Sequence, residues 1–280
     1  MKRVLIPIDF SEAAINAMEY GIAVANHINA NVRLMHVKTG LSYAPTYAKN
    51  QAEYRLNEKV DQWLKELLEK YDAEYVVPGG KFDYKVREGN VVHEISNQAK
   101  YDDSSMIVMG AHGDSGFQSK WIGSNAYSLV AHAPCPVMVL NQEMKWNGGI
   151  RKIVVPVDFS KPSRKKIPVV AGIAAAFKSK VFLVTMRETK LQYLLKRVAM
   201  FNRQVERYFV TRAGVEVEKS VLVGAKPVQK IIDFAEEKDA DLITVHINHS
   251  HNPFANIFKP FANELINSST RPIFVVPTYE

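Results

Sequence analysis

The chain of 280 residues is 47% hydrophobic and 23% charged, with a formal net charge of +7. This length allows two domains of ordinary size, and the composition is typical of a soluble globular protein. No apolar run approaches the roughly 20 residues that span a bilayer, which argues against an integral membrane protein. The single cysteine, Cys135, excludes an internal disulfide. It fits a reducing compartment and, because no signal peptide is recognisable, we expect a cytoplasmic protein.

The first half of the chain alternates apolar runs, which predict buried strands, with segments of helical periodicity. Ser11 stands where it can cap the first of these helices. The predicted strands cover residues 4–8, 32–37, 75–77 together with 83–87, 106–109 and 137–140, and the predicted helices cover residues 12–29, 51–71, 91–100 and 125–132.

Alternation of this kind predicts a parallel sheet with right-handed crossovers, and five strands suit the order 3-2-1-4-5. Open α/β sheets bind ligands beyond the carboxyl ends of their strands, where the strand order reverses. In this order the reversal lies between strands one and four. Asp9 follows strand one and Gly110 follows strand four, so both are predicted to line one crevice.

A glycine-rich segment, residues 109–124, joins the fourth strand to the next helix. Two residues separate Gly110 from Gly113, nine separate Gly113 from Gly123, and Ser124 follows at once. Glycine lets the backbone approach a ligand closely, and the amides at a helix amino terminus bind phosphate. The segment therefore predicts a phosphate-binding loop, with an ordinary strand-to-helix turn as the alternative. Neither a Walker A motif nor a Gly-x-Gly-x-x-Gly motif is present.

The spacing Gly-x2-Gly-x9-Gly-Ser, before a helix that ends in His-Ala-Pro-Cys-Pro-Val, resembles the ATP-binding signature of the universal stress protein family. Residues 4–11, Val-Leu-Ile-Pro-Ile-Asp-Phe-Ser, resemble that family's first strand and turn. The resemblance implies a Rossmann-like α/β sandwich that binds ATP, with or without Mg²⁺. It implies that Asp9 accepts hydrogen bonds from the nucleoside and that the Val37 backbone meets the adenine edge. The residues that the resemblance assigns to ATP are Pro7, Asp9, Val37, Met109, Gly110, Gly113, Gly123, Ser124 and Asn125, of which Asn125 is the least typical of the family.

The pattern then starts again. Residues 153–160 repeat residues 4–11 with an offset of 149, and residues 272–275 repeat residues 136–139 with an offset of 136. We therefore predict two tandem copies, at residues 1–145 and 150–280. The offset of 136 sets His246, His249, Lys259 and Pro260 against Gly110, Gly113, Gly123 and Ser124. Because every glycine is replaced and proline has no N–H, we expect no triphosphate in the second copy.

Several residues keep a second interpretation. Asp9 recurs as Asp158 in the copy that lacks the loop, so it can also serve only to shape the turn after the strand. Lys120 and His112 can reach phosphate oxygens, although lone loop residues of this kind are more often solvated.

Three histidines, His246, His249 and His251, lie within six residues and could ligate zinc. Their spacing matches no established helical pair, which favours a polar loop. The charge is also uneven, with −2 over residues 1–145 and +9 over residues 146–280. A basic half can attract nucleic acid or anionic membrane, but no binding motif accompanies it, so we expect neither partner.

Three functions fit these observations. The first is a regulatory protein of the stress response whose state changes with bound ATP. The second is a slow ATP hydrolase, in which Asp114 could hold Mg²⁺, although no second carboxylate or arginine finger is recognisable. The third is a nucleotide-free scaffold. Because family dimers pair equivalent edges, the resemblance implies an internal pseudo-dimer through residues 137–140 and 273–276, and it leaves a homodimer open.

Overall fold

Both halves of the chain fold as alternating strands and helices. The computed structural model describes residues 2–39, 52–111, 122–158, 160–187, 192–249 and 260–279. The first half contains β1 Arg3–Pro7, α1 Glu12–Ile28, β2 Asn31–Lys38, α2 Ala52–Tyr71, β3 Phe82–Glu88, α3 Val91–Tyr101, β4 Met106–Gly110, α4 Ser124–His132 and β5 Val137–Leu140. The second half contains β6 Lys152–Val157, α5 Lys161–Phe177, β7 Lys180–Arg187, α6 Gln192–Tyr208, β8 Val217–Val223, α7 Pro227–Glu237, β9 Leu242–His249, α8 Pro260–Ser268 and β10 Ile273–Tyr279.

Within the described residues, the ten strands form one sheet in the order β3-β2-β1-β4-β5-β10-β9-β6-β7-β8. Each half has the predicted order 3-2-1-4-5 with parallel neighbours, so the predicted fold class is confirmed. The halves meet where β5 and β10 pair antiparallel, with Val137 opposite Val275 and Val139 opposite Ile273. The two edges that the resemblance singled out therefore pair with each other inside one chain.

Two apolar layers sandwich the sheet because its strands are apolar on both faces. Val4 and Ile6 pack into one layer, and Leu5, which points the opposite way, packs into the other. Buried side chains of α1, α2, α5 and α6 complete the first layer, and those of α3, α4, α7 and α8 complete the second. Each layer runs through both copies, so the two halves share their hydrophobic cores.

The segment between the copies is held in place at both ends. The Trp146 ring meets the Tyr20 ring of α1 edge-on, with 4.8 Å between centroids. The Asn147 side-chain Nδ2 donates to Asp241 Oδ1 at 2.7 Å, and Asp241 Oδ2 accepts from the Arg151 backbone amide at 2.8 Å. These contacts fix the second copy relative to the first.

The sequence prediction for residues 75–77 is wrong, because these residues do not belong to the third strand. A 3-10 turn, Asp72–Glu74, ends α2, and β3 begins only at Phe82. The side chain of Asn26 in α1 donates to the Glu74 carbonyl at 2.8 Å and accepts from the Val76 amide at 3.0 Å. Because a side chain satisfies these backbone groups, the segment runs beside α1 rather than joining the sheet.

A network of charged side chains lies at the amino ends of β1 and β2, which is the end of the first copy opposite the candidate site. The Asp102 side chain at the end of α3 is 3% exposed and lies 2.6 Å from the Arg3 guanidinium. Both of its oxygens also accept from Arg33, at 2.8 and 2.9 Å, and Arg33 forms a second, two-pronged bond with Asp83. One buried carboxylate thus balances two guanidiniums from adjacent strands.

Replacing Asp102 by asparagine is expected to destabilise the protein by about 3 kcal/mol, because removing one partner of a buried ion pair leaves the other charges uncompensated. The midpoint of urea denaturation measures the loss. The neighbouring Asp103 is exposed and lies in the left-handed region at φ 49°, which asparagine also tolerates. Asp103→Asn is therefore the matched control, and equal midpoints for the two variants would contradict the assignment.

Candidate nucleotide-binding site

Asp9 lies just beyond β1 with its carboxylate exposed. Its Oδ1 accepts hydrogen bonds from the Ser11 amide at 3.0 Å and the Ser11 hydroxyl at 2.6 Å. Ser11 Oγ in turn accepts from the Ala14 amide at 3.2 Å and caps α1, as predicted. The turn-forming role of Asp9 is thus present, and it recurs in the second copy, where Asp158 accepts from the Ser160 amide at 2.8 Å. Among the described residues both bonds of Asp9 use Oδ1, so Oδ2 remains open to a further donor.

Three apolar residues meet at the carboxyl ends of adjacent strands. Pro7 ends β1 opposite Met35, and β2 continues beyond that pair, so Val37 lies past the end of β1. The register that sets Leu5 beside Ile107 brings β4 along the other side of β1. Met109, which is buried, and Val37, which is half-buried, belong to the same core layer. Together with Pro7 they mark the carboxyl edge at which β2, β1 and β4 lie side by side.

Gly110 is the last residue of β4, and its role here is one of packing. A Cβ at this position would lie 3.1 Å from the backbone carbon and oxygen of Ala13 in α1. This is tighter than most side chains approach backbone, so the close packing of α1 on β4 itself favours glycine here. The consequence is that the amino end of α1 lies directly beside the start of the glycine-rich loop.

The two ends of that loop are joined by hydrogen bonds. The Ala111 amide donates to the Leu140 carbonyl at 2.7 Å, and the Gly123 amide donates to the Ala111 carbonyl at 2.9 Å. The chain therefore leaves β4 and returns to the same point. Four predicted loop residues lie outside the described residues: Gly113, His112, Asp114 and Lys120.

Helix α4 begins at Ser124 with an open amino terminus. Gly123 is the capping residue, with φ −59° and ψ 150°, and among the described residues no side chain caps the helix. The first helical bond runs from the Tyr127 amide to the Gly123 carbonyl at 2.8 Å, and Ser124 and Asn125 are exposed. Amides in a first helical turn have no partner within the helix, and the helix dipole adds positive potential. An anion such as phosphate fits this position.

Eight of the nine predicted ligand residues thus come together at the carboxyl edge of the first copy, on β1, β2, β4 and the start of α4. Sequence reasoning missed a contact from the second copy. The Ile122 amide, just before α4, donates to Asn267 Oδ1 of α8. These residues are 145 positions apart, so no local pattern could have revealed the pair.

The equivalent position in the second copy is built differently. The predicted polar loop at residues 246–249 is wrong, because β9 continues to His249 and pairs with β10 as far as Tyr279. In the first copy β5 stops at Leu140, which pairs with Gly110, so β5 offers β4 no partner beyond Gly110. With a longer neighbour and no glycine, β9 of the second copy continues for three residues past the position at which β4 ends. His251 lies outside the described residues.

A buried lysine lies under this second edge. Lys166 of α5 is 1% exposed, and its Nζ donates to the Pro156 carbonyl. Burial lowers the pKa of Lys166 to about 7, against a smaller raising effect of the Asp158 charge. Burial alone would raise the pKa of Asp158, but hydrogen bonds from Ser160 and the charges of His246 and Lys166 hold it below its ordinary value. The first copy has Ala17 at the position of Lys166.

Among the described residues, no group of three His, Cys, Asp or Glu side chains is arranged to hold a metal ion. Cys135 is buried, and burial raises the pKa of its thiol to about 12, so it is inert as a nucleophile. None of the described helices is both long and apolar enough to cross a bilayer.

Fold and site together define a tandem α/β protein in which the open amino terminus of a helix lies at the carboxyl edge of the sheet in the first copy. The family model for universal stress proteins matches residues 1–141 and 149–277, so the chain belongs to the universal stress protein family as a two-copy member.

Comparisons with known proteins agree with this assignment. A universal stress protein of Methanocaldococcus jannaschii is 27% identical over 51% of this chain and 84% of its own length. The Bacillus subtilis universal stress protein YxiE is 26% identical over 49% of this chain and 97% of its own length. A crystal structure of a universal stress protein from Archaeoglobus fulgidus has a TM-score of 0.78, with 21% identity and 98% of both chains covered. At that identity the last comparison supports the fold alone.

Proposed function

We propose that this universal stress protein binds ATP in its first copy and acts as a nucleotide-dependent regulatory protein of the stress response. The observation that carries the proposal is the uncapped amino terminus of α4, which lies where the chain returns to β4. Phosphates would be held by the amides of Ser124 and Asn125, and the base would lie against Pro7, Val37 and Met109. Asp9 Oδ2 would accept from the ribose.

The proposal assigns the nucleotide to a first domain, residues 1–145, and leaves a second domain, residues 150–280, without one. His246 and Pro260 stand where the first domain has Gly110 and Ser124, and Pro260 begins α8 without an N–H to offer. A cytoplasmic location belongs to the same proposal and is supported by the single, buried Cys135.

Binding is favoured over catalysis in this proposal. Phosphoryl transfer requires a positioned metal, charge stabilisation and a group that orients the nucleophile. The described residues near α4 supply amides and hydroxyls but no paired carboxylates. Hydrolysis is expected to be slow, and the bound nucleotide would act by favouring one conformation or oligomeric state of the protein.

The direct test is to purify the protein without added nucleotide, denature it, and identify any small molecules released by mass spectrometry. We expect ATP in near-equal amount to protein, or tight binding of added ATP in calorimetry. Accumulation of ADP from added ATP would instead favour the hydrolase. Absence of both nucleotide and affinity would refute the proposal and leave the scaffold hypothesis.

A matched pair of variants separates ligand binding from turn formation. Asp9 and Asp158 make the same turn in the two copies, so Asp9→Ala and Asp158→Ala remove equivalent turn-forming hydrogen bonds. Only Asp9→Ala is expected to weaken ATP binding, by about tenfold for the loss of a charge-assisted hydrogen bond. Calorimetric titration of both variants provides the measurement, and equal affinities would show that Asp9 only shapes the strand end.

A further inference from the structure

We infer that the second copy completes the ATP site of the first: Asn267 on α8 positions the chain that opens α4. This inference deepens the proposed function and rests on it. It assigns a ligand-related role to a copy that has lost its own phosphate loop.

The contact falls at the point where the loop turns into the helix. The Ile122 amide donates to Asn267 Oδ1, and the next amide, that of Gly123, donates to the Ala111 carbonyl at 2.9 Å. Ser124, the first residue of α4, follows immediately. Two consecutive amides are thus anchored, one by Ala111, just after β4 of the same copy, and one by α8 of the other copy. Together they set the direction in which the first amides of α4 point.

The Asn267 amide group is itself oriented. Its Nδ2 donates to Asn263 Oδ1, one helical turn earlier, at 3.0 Å, so its oxygen faces Ile122. The end of α8 is tied to the first copy as well, because the Asn141 amide group donates to the Ser269 carbonyl at 3.1 Å. The fully buried Leu265 packs in the same core layer as Ile122. Helix α8 is therefore a fixed support for the chain at Ile122, just before α4.

The duplication makes this contact one-sided. With the offset of 136, Asn267 corresponds to Ala131 in α4, and alanine offers no side-chain acceptor. Helix α4 therefore cannot make the reciprocal bond to the second copy. Of the two equivalent helix positions, only Asn267 on α8 carries a side-chain acceptor, and it contacts the copy that keeps Gly123 and Ser124. This asymmetry matches the asymmetry of the phosphate loop itself.

Anchoring matters because amides bind an anion best when they are already oriented. Without Asn267 Oδ1, the Ile122 amide would turn to water, and part of the ordering of the helix start would have to accompany phosphate binding. Adenosine has no phosphate and does not need this ordering. The contact should therefore affect ATP and adenosine differently.

The test compares Asn267→Ala with Ser268→Ala, which alters an exposed neighbour on the same helix. For Asn267→Ala we expect the Kd of ATP to rise about tenfold and that of adenosine to stay within about twofold. Ser268→Ala should change neither. An unchanged ATP affinity, or an equal loss for both ligands, would overturn the inference, the second because it indicates general damage.

A ligand-free measurement distinguishes this inference from the proposed function. Amide hydrogen exchange of the nucleotide-free protein should show loss of protection at Ile122 in Asn267→Ala and not in Ser268→Ala. If the wild type binds no ATP but this loss is seen, the proposed function fails and the positioning contact stands. If exchange at Ile122 is the same in all three proteins, the contact does not hold the loop and the inference fails.

Discussion

Replacing Lys166 by methionine is expected to stabilise the protein by about 3 kcal/mol at pH 6.5, because a buried cation is exchanged for an apolar side chain of similar shape. Lys166 lies within α5 at 1% exposure, and its Nζ donates to the Pro156 carbonyl. Methionine loses that bond but leaves no charge in the core. The gain should therefore be smaller than the full cost of burying the ammonium.

The pH dependence of stability has a definite sign. Burial lowers the pKa of Lys166 from 10.5 to about 7, with the Asp158 charge acting in the opposite direction. Between these values the unfolded chain binds more protons than the folded one, so stability rises with pH. Below about pH 7 the ammonium is charged in both states and the destabilisation is complete, on the order of 5 kcal/mol. Asp158 titrates at acidic pH and does not contribute in this window.

Urea denaturation of the wild type and Lys166→Met at pH 6.5, 8.0 and 9.5 provides the measurement. The wild type should gain about 3 kcal/mol across this range, while the variant stays nearly level, so that their difference vanishes by pH 9.5. Lys161→Met, which alters an exposed lysine at the start of α5, is the control and should follow the wild type. Parallel profiles for the wild type and Lys166→Met would mean that the lysine remains charged throughout.

Lys166 also shows where sequence reasoning loses its basis. The order of elements was predictable because apolar runs and helical periodicity report which face of each element is buried. A lysine on a helix is read as solvated, since burying its charge is unfavourable. Only the tertiary position of α5 over Pro156 shows that Lys166 points inward. The same limit explains residues 75–77, whose backbone groups bind the Asn26 side chain instead of a strand.

The candidate site likewise contains residues that the sequence could predict and contacts that it could not. Asp9 and Gly123 could be named because turn-forming acids and helix caps have local signatures, whereas Pro7 was named only from the family resemblance. Whether β9 turns into a loop or continues could not be decided locally, because it depends on the extra length of β10 beside it. The Asn267 contact depends on the pairing of β5 with β10, which brings α8 near α4. Contacts across the β5–β10 pairing join residues of different copies, so the sequence pattern of neither copy alone can predict them.

The second copy also suggests a substitution that tests the proposed phosphate site of the first copy. Its helix α8 begins with Pro260, at the position of Ser124 in α4. Proline is well accommodated at the first residue of a helix. The preceding Gly123, at φ −59° and ψ 150°, already has the extended conformation that a following proline requires. Ser124→Pro should therefore preserve α4 while removing one N–H and one hydroxyl.

We expect Ser124→Pro to weaken ATP binding at least about tenfold, and Ser124→Ala, which keeps the N–H, to weaken it only about two- to threefold. Adenosine binding should be unaffected in both variants, and circular dichroism should show unchanged helix content. The difference between the two variants isolates the backbone amide, which is the group that the second copy has lost. If both variants bind ATP equally well, the amino terminus of α4 does not hold phosphate, and the nucleotide site must be sought elsewhere on this edge.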